Sequence, residues 1–462
     1  MVQLSRRTIL TGLALQGLSA VVSASPAEGI LSDSAPPSPP APTPLELAAP
    51  NNSLLSYFSE SAPNLLRSAQ GVLRYPSISP SLPGKQYSTQ LWDWDTYWTA
   101  LGLFSIASLT KDKDLHGKIG IHAQGSLLNF LDHQAEDGRI PILIDVNDPD
   151  PLGCLKRQTP QIHNQAKPVM GQLALLISDE TGDTSWLGNH FDGLLKFHES
   201  WVVGNQSATG LLVWGDDVAI GNDNDPTTFG RPFFSSANLL LNCLYYQDLK
   251  AASELALRLK RPSDAASLSV RAKQQGSLIQ QYCWDPRDHF YYTADVQCVD
   301  RRAELIPDVA RGMAMSWKTL PLRIQVFTGF LPLWCGLSTR DHASELVETH
   351  YKADQKFRAN WGVRSLAQNE SMYSLDFSSN PSNWLGPIWI VVNYFVWKGL
   401  RNYGFVQEAH ELAHKTQEML VDDLRTNGSL SEYYHPDSGK PLSHKGFLDW
   451  NLLVLEMFRQ TD

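Results

Sequence analysis

Residues 91–109 read LWDWDTYWTALGLFSIASL, a run of tryptophans and aspartates that passes directly into an apolar stretch. Within 98–109 the apolar residues recur at three- and four-residue spacing, which predicts an amphipathic helix. The same spacing predicts further helices at 121–132, 169–178, 236–258, 264–282, 341–350, 387–400 and 406–421. Strand-like alternation is rare and short. The sequence therefore predicts an all-α fold in which paired helices close into a ring.

Long polar loops separate the predicted helices, at 145–168, 214–235, 373–386 and 427–446. They are rich in Pro, Gly, Asn and Asp, as loops usually are, and we expect them to build a site at one rim of the ring. Hydrophobic cores usually split beyond about 250–300 residues, which would favour two domains. Because no Pro/Gly/Ser linker interrupts the body, we expect a single domain over 51–462.

The composition limits the possible partners. The 462 residues include 38 Lys plus Arg and 48 Asp plus Glu, giving a net charge of -10. An acidic chain without a long basic run lacks the positive surface that duplex nucleic acid or an anionic membrane attracts. With 42% hydrophobic and 19% charged residues, wholesale disorder is excluded and a large core is expected. The 14 tryptophans could line a sugar-binding cleft or fill that core.

The N-terminus has the features of an export signal. Arg6 and Arg7 precede a short apolar run that ends near Val22, followed by the small residues Ser23 and Ala24. This pattern predicts a twin-arginine signal peptide over 1–24 and hence a periplasmic protein; the alternative is an uncleaved amphipathic start. The run is too short for a transmembrane helix. The proline density of 25–50 predicts an extended linker.

The cysteines do not form a metal-binding pattern. Cys154, Cys243, Cys283, Cys298 and Cys335 are scattered, and no Cys-x-x-Cys pair occurs, so no structural zinc or iron–sulfur site is expected. Cys283 and Cys298 could pair in an oxidising compartment, but buried free thiols are the expected state. No cofactor motif is present, and none is expected.

Two loops concentrate carboxylates. In the first, Asp93 and Asp95 alternate with indoles, and such carboxylates are costly to bury without hydrogen-bond partners, which sugar hydroxyls could supply; otherwise Asp95 simply caps the following helix. The second runs from Trp214 to Pro226. It does not fit a calcium loop of the EF-hand type, because counting from Asp223 puts Thr and Phe where Gly and Glu are required. Crowded carboxylates raise the pKa of one member, as a general acid requires; a solvated acidic turn is the simpler alternative.

Two later loops carry aromatic and acidic residues. Residues 383–389 read NWLGPIW and lead into the helix predicted at 387–400. Residues 431–439 read SEYYHPDSG, in which Glu432 precedes two tyrosines that could orient its carboxylate; an exposed turn is the alternative. The serine-hydrolase pattern Gly-x-Ser-x-Gly and the zinc-protease pattern His-Glu-x-x-His are both absent.

Taken in order, these segments resemble the trehalase-like glycosidases of glycoside hydrolase families 63 and 37, over most of 85–455. Residues 94–96 (WDT) resemble the family's Trp-Asp-Ser, and 221–226 (GNDNDP) resemble its Gly-x-Asp-Asn-Ser-Pro. Residues 331–334 (LPLW), 384–389 (WLGPIW) and the Glu432 segment match later motifs of the family. The chain departs from it at 218–220, where VAI replaces a frequent Trp-Glu-Ser, and at Leu385, which replaces a frequent Arg.

The resemblance implies an (α/α)6 toroid and hydrolysis of a small α-glucoside or α-mannoside with inversion at the anomeric carbon. It places the general acid on Asp223 and the general base on Glu432. In an inverting enzyme these carboxyl groups lie roughly 6.5–9.5 Å apart. The residues expected to bind the sugar are Trp94, Asp95, Asp93, Gln165, Asn224, Trp384, Trp389 and Tyr434. The alternatives are a non-catalytic carbohydrate-binding protein on the same scaffold and a polysaccharide lyase.

Overall fold

The structure is a computed structural model that describes residues 50–156, 164–297, 317–376 and 382–459. The predicted signal peptide, Cys298 and all but the last residue of the predicted linker lie outside these ranges. The described residues belong to one compact unit, 41–462. Within them, no helix combines the length and apolarity needed to cross a bilayer. Four described cysteines are buried free thiols, as expected: Cys154, Cys243, Cys283 and Cys335.

The described chain is mostly helical. In chain order the helices are α1 (Asn52–Ser61), α2 (Asp93–Thr110), α3 (Lys113–Asp132), α4 (Met170–Thr181), α5 (Phe191–Asn205), α6 (Leu239–Arg258), α7 (Pro262–Cys283), α8 (Leu331–Trp334), α9 (Arg340–Leu346), α10 (Ile390–Asn402), α11 (Val406–Asn427) and α12 (Leu453–Glu456). A π-helical turn, Val347–Tyr351, extends α9. Each helix predicted from apolar spacing is present, and α1, α5, α8 and α12 are additional.

The strands are two or three residues long. They are β1 (Leu66–Arg67), β2 (Ser77–Ile78), β3 (Gln90–Trp92), β4 (Leu143–Asp145), β5 (Ser236–Ala237), β6 (Trp284–Asp285), β7 (Phe290–Tyr291), β8 (Ala294–Asp295) and β9 (Leu320–Pro321). They form antiparallel pairs β1–β2, β3–β4 and β6–β7 and the three-stranded sheet β5–β8–β9. Pairing of Trp92 with Leu143 fixes the residue at which α2 begins.

The helices alternate between an inner and an outer position. Helix α2 packs on α4, α4 on α6, α6 on α8, α8 on α10, α10 on α12, and α12 returns to α2, so six inner helices close a ring. Outer helices lie against this ring, with α3 on α2 and α4, α7 on α6, and α11 on α10 and α12. A buried hydrogen bond of 2.6 Å from Ser105 of α2 to Glu456 of α12 joins the two ends of the ring. This arrangement is the (α/α)6 toroid.

Residue type explains which helices are inner. Helix α2 is buried on nearly all sides from Asp93 to Ala107, as an all-round apolar helix must be. Helix α11 buries only one stripe, which includes Ala409, Leu412 and Leu420, and its other face is polar. The inner helices therefore supply the core, and the loops that precede them meet at one end of the ring.

Candidate active site

A cavity of about 340 Å³ lies where the loops before α2, α4, α6, α10 and α12 meet. Both predicted catalytic carboxylates, Asp223 and Glu432, line it. The other lining residues are Tyr87, Trp92, Trp94, Asp95, Leu152, Lys167, Asp217, Val218, Ala219, Gly221, Phe229, Ser382, Trp384, Phe447 and Trp450. Four carboxylates and four indoles thus surround a space of the size of a small sugar derivative.

A dense hydrogen-bond network shapes the loop that carries Asp223. The buried carboxylate of Asp225 accepts bonds from the backbone and hydroxyl of Thr227 and from the amides of Asn222 and Asn238, at 2.6 to 2.8 Å. Gly221 adopts φ +99°, and a Cβ there would lie 2.9 Å from the Trp94 ring. A glycine is required at this position by both the left-handed backbone and the contact with the indole.

The environment of Asp223 favours its protonated form. Burial raises its pKa to about 6, and the negative charge of Glu432 acts in the same direction. The Ser382 hydroxyl and the Lys167 cation oppose this shift. A carboxyl group that keeps its proton in weakly acidic solution is suited to be a proton donor.

Glu432 is held by its own chain and by a histidine. Tyr434 and Ile388 exchange two backbone hydrogen bonds, of 2.8 and 2.9 Å, which fix the Glu432 segment beside the start of α10. The Glu432 carbonyl accepts a bond of 2.9 Å from the Trp450 indole. Its carboxylate pairs with Nδ1 of His444. Burial raises the pKa of Glu432, whereas the hydrogen bond and charge of His444 lower it.

Asp95 shares a hydrogen bond with a second carboxyl group, Asp449. Both side chains are buried, and Asp449 also accepts a bond of 2.8 Å from Thr99. Burial raises the pKa of Asp95 to about 7, although the hydrogen bond from Asp449 opposes this shift. Burial and the charge of Asp95 raise the pKa of Asp449 far above its usual range. Two such groups in contact cannot both be ionised, so Asp449 holds a proton and donates it in the hydrogen bond to Asp95.

Asp93 does not line the cavity. It is fully buried, and its carboxylate pairs with Lys167 through the ammonium at 3.0 Å and the backbone N–H at 2.6 Å. The ammonium also donates to the Ala219 carbonyl at 3.1 Å and lies 5.4 Å from the centre of the Trp94 ring. The structure thus gives Asp93 the role of counter-ion to a buried lysine, which in turn holds the acid loop against α2, and not the sugar contact expected from the sequence.

The two tryptophans of the 383–389 segment have different positions. Trp384 lines the cavity, whereas Trp389 is fully buried behind it, with ring centres 3.8 Å apart and planes within 7°. Tyr433 stacks on the other face of Trp389 at 4.5 Å. Trp389 therefore supports the wall ring from behind and does not line the cavity.

Three further predicted binding residues also lie behind the cavity wall. The Asn224 side chain accepts a bond of 2.7 Å from the Trp384 backbone and donates to Asn383 at 3.1 Å, tying the acid loop to the Trp384 loop. Gln165 is buried and accepts a bond from Ser200 of α5. The Tyr434 hydroxyl donates to Asp423 of α11 at 3.0 Å. Each positions a wall segment and does not contact the cavity space.

Several residues of the site were not predicted from the sequence. Tyr87 is one: burial and the charges of Glu432, Asp95 and Asp223 raise its pKa, so its hydroxyl lies among the three carboxylates. Lys167 lies in the 145–168 loop, and Asp449 and His444 come from the stretch around 427–450. The predicted long polar loops 145–168 and 427–446 contain Lys167 and His444, whereas Tyr87 and Asp449 lie outside the predicted loops and had no such signal.

Comparison with known proteins identifies the family. Residues 88–448 match the family described as the mannosylglycerate hydrolase MGH1-like glycoside hydrolase domain. The mannosylglycerate hydrolase of Thermus thermophilus is 28% identical over 148 residues, which is 31% of this chain and 32% of that protein. A probable mannosyl-oligosaccharide glucosidase of Schizosaccharomyces pombe is 27% identical over 146 residues, 29% of this chain and 18% of that protein. These matches span a third or less of each relative's length.

Solved structures show the same fold over more of the chain. A family 63 mannosylglycerate hydrolase of Thermus thermophilus, in complex with glucose, has a TM-score of 0.61 at 20% identity, covering 87% of this chain and 98% of that one. Neutral trehalase from Saccharomyces cerevisiae has a TM-score of 0.56 at 16% identity, covering 84% of this chain and 74% of that one. The resemblance to families 63 and 37 is confirmed, and the chain belongs to the mannosylglycerate hydrolase MGH1-like glycoside hydrolase family.

Proposed function

We propose that this protein hydrolyses the α-glycosidic bond of a small α-glucoside or α-mannoside with inversion at the anomeric carbon. The observation that carries the proposal is that Asp223 and Glu432, from loops far apart in the chain, line one cavity, where burial raises the pKa of both. Burial and a neighbouring charge favour a proton on Asp223. The bond from His444 favours the ionised form of Glu432.

In the bond-breaking step, Asp223 donates its proton to the glycosidic oxygen as the bond to the anomeric carbon breaks. Glu432 removes a proton from the water that attacks the opposite face of the sugar ring. The positive charge that develops on the sugar is stabilised by the ionised carboxylate of Glu432. Acid–base assistance contributes about 10²–10⁴-fold, and positioning of sugar and water by the rigid aromatic wall supplies a further part.

The size of the cavity also indicates a small substrate that is hydrolysed at its terminal sugar. A volume of about 340 Å³ is near the lower end of the range for ligand pockets. Trp94, Asp95 and Trp450, at the inner end, are almost fully buried. One sugar ring fits between these indoles, with Asp95 as hydrogen-bond acceptor for its hydroxyls, and the leaving group then extends toward the opening. Relatives named mannosylglycerate hydrolase, glucosidase and trehalase act on substrates of this class.

The test is to incubate the purified protein with a panel of α-linked disaccharides and glycosylglycerates and to follow the released sugar by proton NMR. The β-anomer should appear first. Asp223→Asn and Glu432→Gln should each reduce turnover by at least about 10²–10⁴-fold with an unchanged circular dichroism spectrum. Glu60→Gln, at an exposed carboxylate of α1, is the matched control. Initial release of the α-anomer, or full activity of either variant, would refute the proposal.

We also propose that the protein is exported to the periplasm through residues 1–24. The motivation is the sequence alone, namely the Arg6–Arg7 pair followed by a short apolar run. Replacing both arginines by lysine should retain the full-length protein in the cytoplasm, as measured by cell fractionation. Unchanged fractionation would exclude the twin-arginine route.

A further inference from the structure

The exposure of the side chains that line the cavity increases from its inner end to its opening. At the inner end, Trp94 and Asp95 are only 3% and 8% exposed. At the opening, Phe229 and Val218 are 55% and 37% exposed, although both side chains line the cavity. Because Asp223 lies between Val218 and Phe229 on the same loop, the part of a substrate beyond the broken bond must pass these two side chains.

The backbone holds this apolar rim in place. The Phe229 N–H donates to the Asp225 carbonyl at 2.7 Å, and the next residue, Gly230, donates to the Asp217 carboxylate at 2.8 Å. Ala219 has φ +53°, a left-handed conformation that directs the chain from Val218 into the acid motif. The backbone that carries the exposed phenyl ring is therefore fixed beside the route of the leaving group, which limits the ordering that binding requires.

The charges along the same route are negative. Apart from the proton donor Asp223 and Asp95 at the inner end, the carboxylates among the described lining residues are Asp217 and Glu432, and the cation is Lys167. The Lys167 side chain is 2% exposed, and its ammonium is already bound to Asp93 at 3.0 Å. Among the described residues, a negatively charged leaving group would therefore meet carboxylates and no cation that is free to pair with it, which disfavours its binding.

We infer that the leaving group of the natural substrate is uncharged and has an apolar face that packs on Phe229 and Val218, unlike the glycerate of a mannosylglycerate. This inference rests on the proposed hydrolysis. The exposed phenyl ring of Phe229 and the neighbouring Val218 side chain favour a neutral group with an apolar face.

Two substrate comparisons isolate charge and apolar contact. Glycosylglycerol and glycosylglycerate differ by one carboxylate, and we expect kcat/KM to be at least about tenfold higher for the uncharged compound. Benzyl and methyl glycosides have leaving groups of similar reactivity, and the benzyl compound should be preferred. Phe229→Ala should lower the benzyl-to-methyl ratio of kcat/KM several-fold, mainly through KM. Phe233→Ala is the matched control, because Phe233 is 45% exposed on the same loop but does not line the cavity.

Binding of the same four compounds to the Glu432→Gln variant, measured by tryptophan fluorescence, separates the inference about the leaving group from the proposed hydrolysis. Preference for the uncharged compound, together with a preference for the benzyl compound that is lost in Phe229→Ala on that background, supports the inference even if no glycoside is hydrolysed. Tighter binding and faster hydrolysis of glycosylglycerate would overturn the inference and leave the proposed hydrolysis intact. An equal effect of Phe229→Ala and Phe233→Ala on the benzyl-to-methyl ratio would also overturn it.

Discussion

Replacing His444 by alanine should move the acidic limb of the pH–activity profile to higher pH. The histidine donates to the Glu432 carboxylate, and this bond lowers the pKa of Glu432 against the effect of burial. A hydrogen bond to a charged group contributes about 1.5–3 kcal/mol, and one pKa unit corresponds to about 1.36 kcal/mol. Loss of the bond should therefore raise the pKa of Glu432 by about one to two units.

The direction in which the acidic limb moves follows from the role of Glu432 as general base. A general base must be ionised, so activity decreases as pH falls through its pKa. When that pKa rises, the rate at a pH below the wild-type limb should drop by about 10- to 100-fold, while the basic limb, which reports Asp223, should move little. The profile should thus become narrower from its acidic side.

The assay is kcat/KM against pH for wild type, His444→Ala and His444→Gln. Glutamine keeps a neutral donor to Glu432, so its limb should lie between the other two. His122→Ala, on outer helix α3, is the control and should leave the profile unchanged. An acidic limb in His444→Ala that coincides with that of wild type would refute the assignment of Glu432 as the base held by His444.

The activity of the wild-type protein should decrease as pH rises through about 6, because Asp223 then loses the proton that it must donate; initial rates measured across this range test it. Lys167→Met should lower the free energy of unfolding by about 3–5 kcal/mol, because it leaves Asp93 buried without its counter-ion. Urea denaturation should show that adding Asp93→Leu restores part of this loss, and equal stability of Lys167→Met and wild type would contradict the ion-pair role. Gly221→Ala should abolish activity and lower the melting temperature, since its φ of +99° and the adjacent indole exclude a Cβ. Gly428→Ala, at φ +65° with open space around it, should cost only about 1 kcal/mol and keep full activity, as thermal melts and rate measurements would show.

The spacing of apolar residues was sufficient to predict the long helices but not the short ones. Helices α8 and α12 have four residues each, too few for a period of 3.6 to be recognised. Yet these two complete the inner ring, through contacts with distant parts of the chain. The pattern of long helices therefore predicts a ring, but the local pattern does not identify the two short helices that complete it.

The sequence predicted those parts of the candidate site that belong to short, contiguous motifs. The segments around Asp223 and Glu432 each fit in a few residues, and the structure brings both to one cavity. Trp384 and Trp389 were not distinguishable in sequence, because stacking between loops decides which ring faces the cavity. Lys167 was missed for a similar reason, since its partner Asp93 lies on a different segment.

The hydrogen bond between Thr99 and Asp449 has a consequence for biosynthesis. The inner end of the pocket is assembled from α2, the first of the ring helices in chain order, and from residues that leave the ribosome 350 positions later. A nascent chain halted before residue 449 would lack Asp449 and the helix that closes the circle, however well its earlier helix pairs had formed. Catalytic competence should therefore arise in a single step once Asp449 and α12 have emerged, and cleavage of the chain before residue 449 should abolish activity although the earlier helix pairs remain.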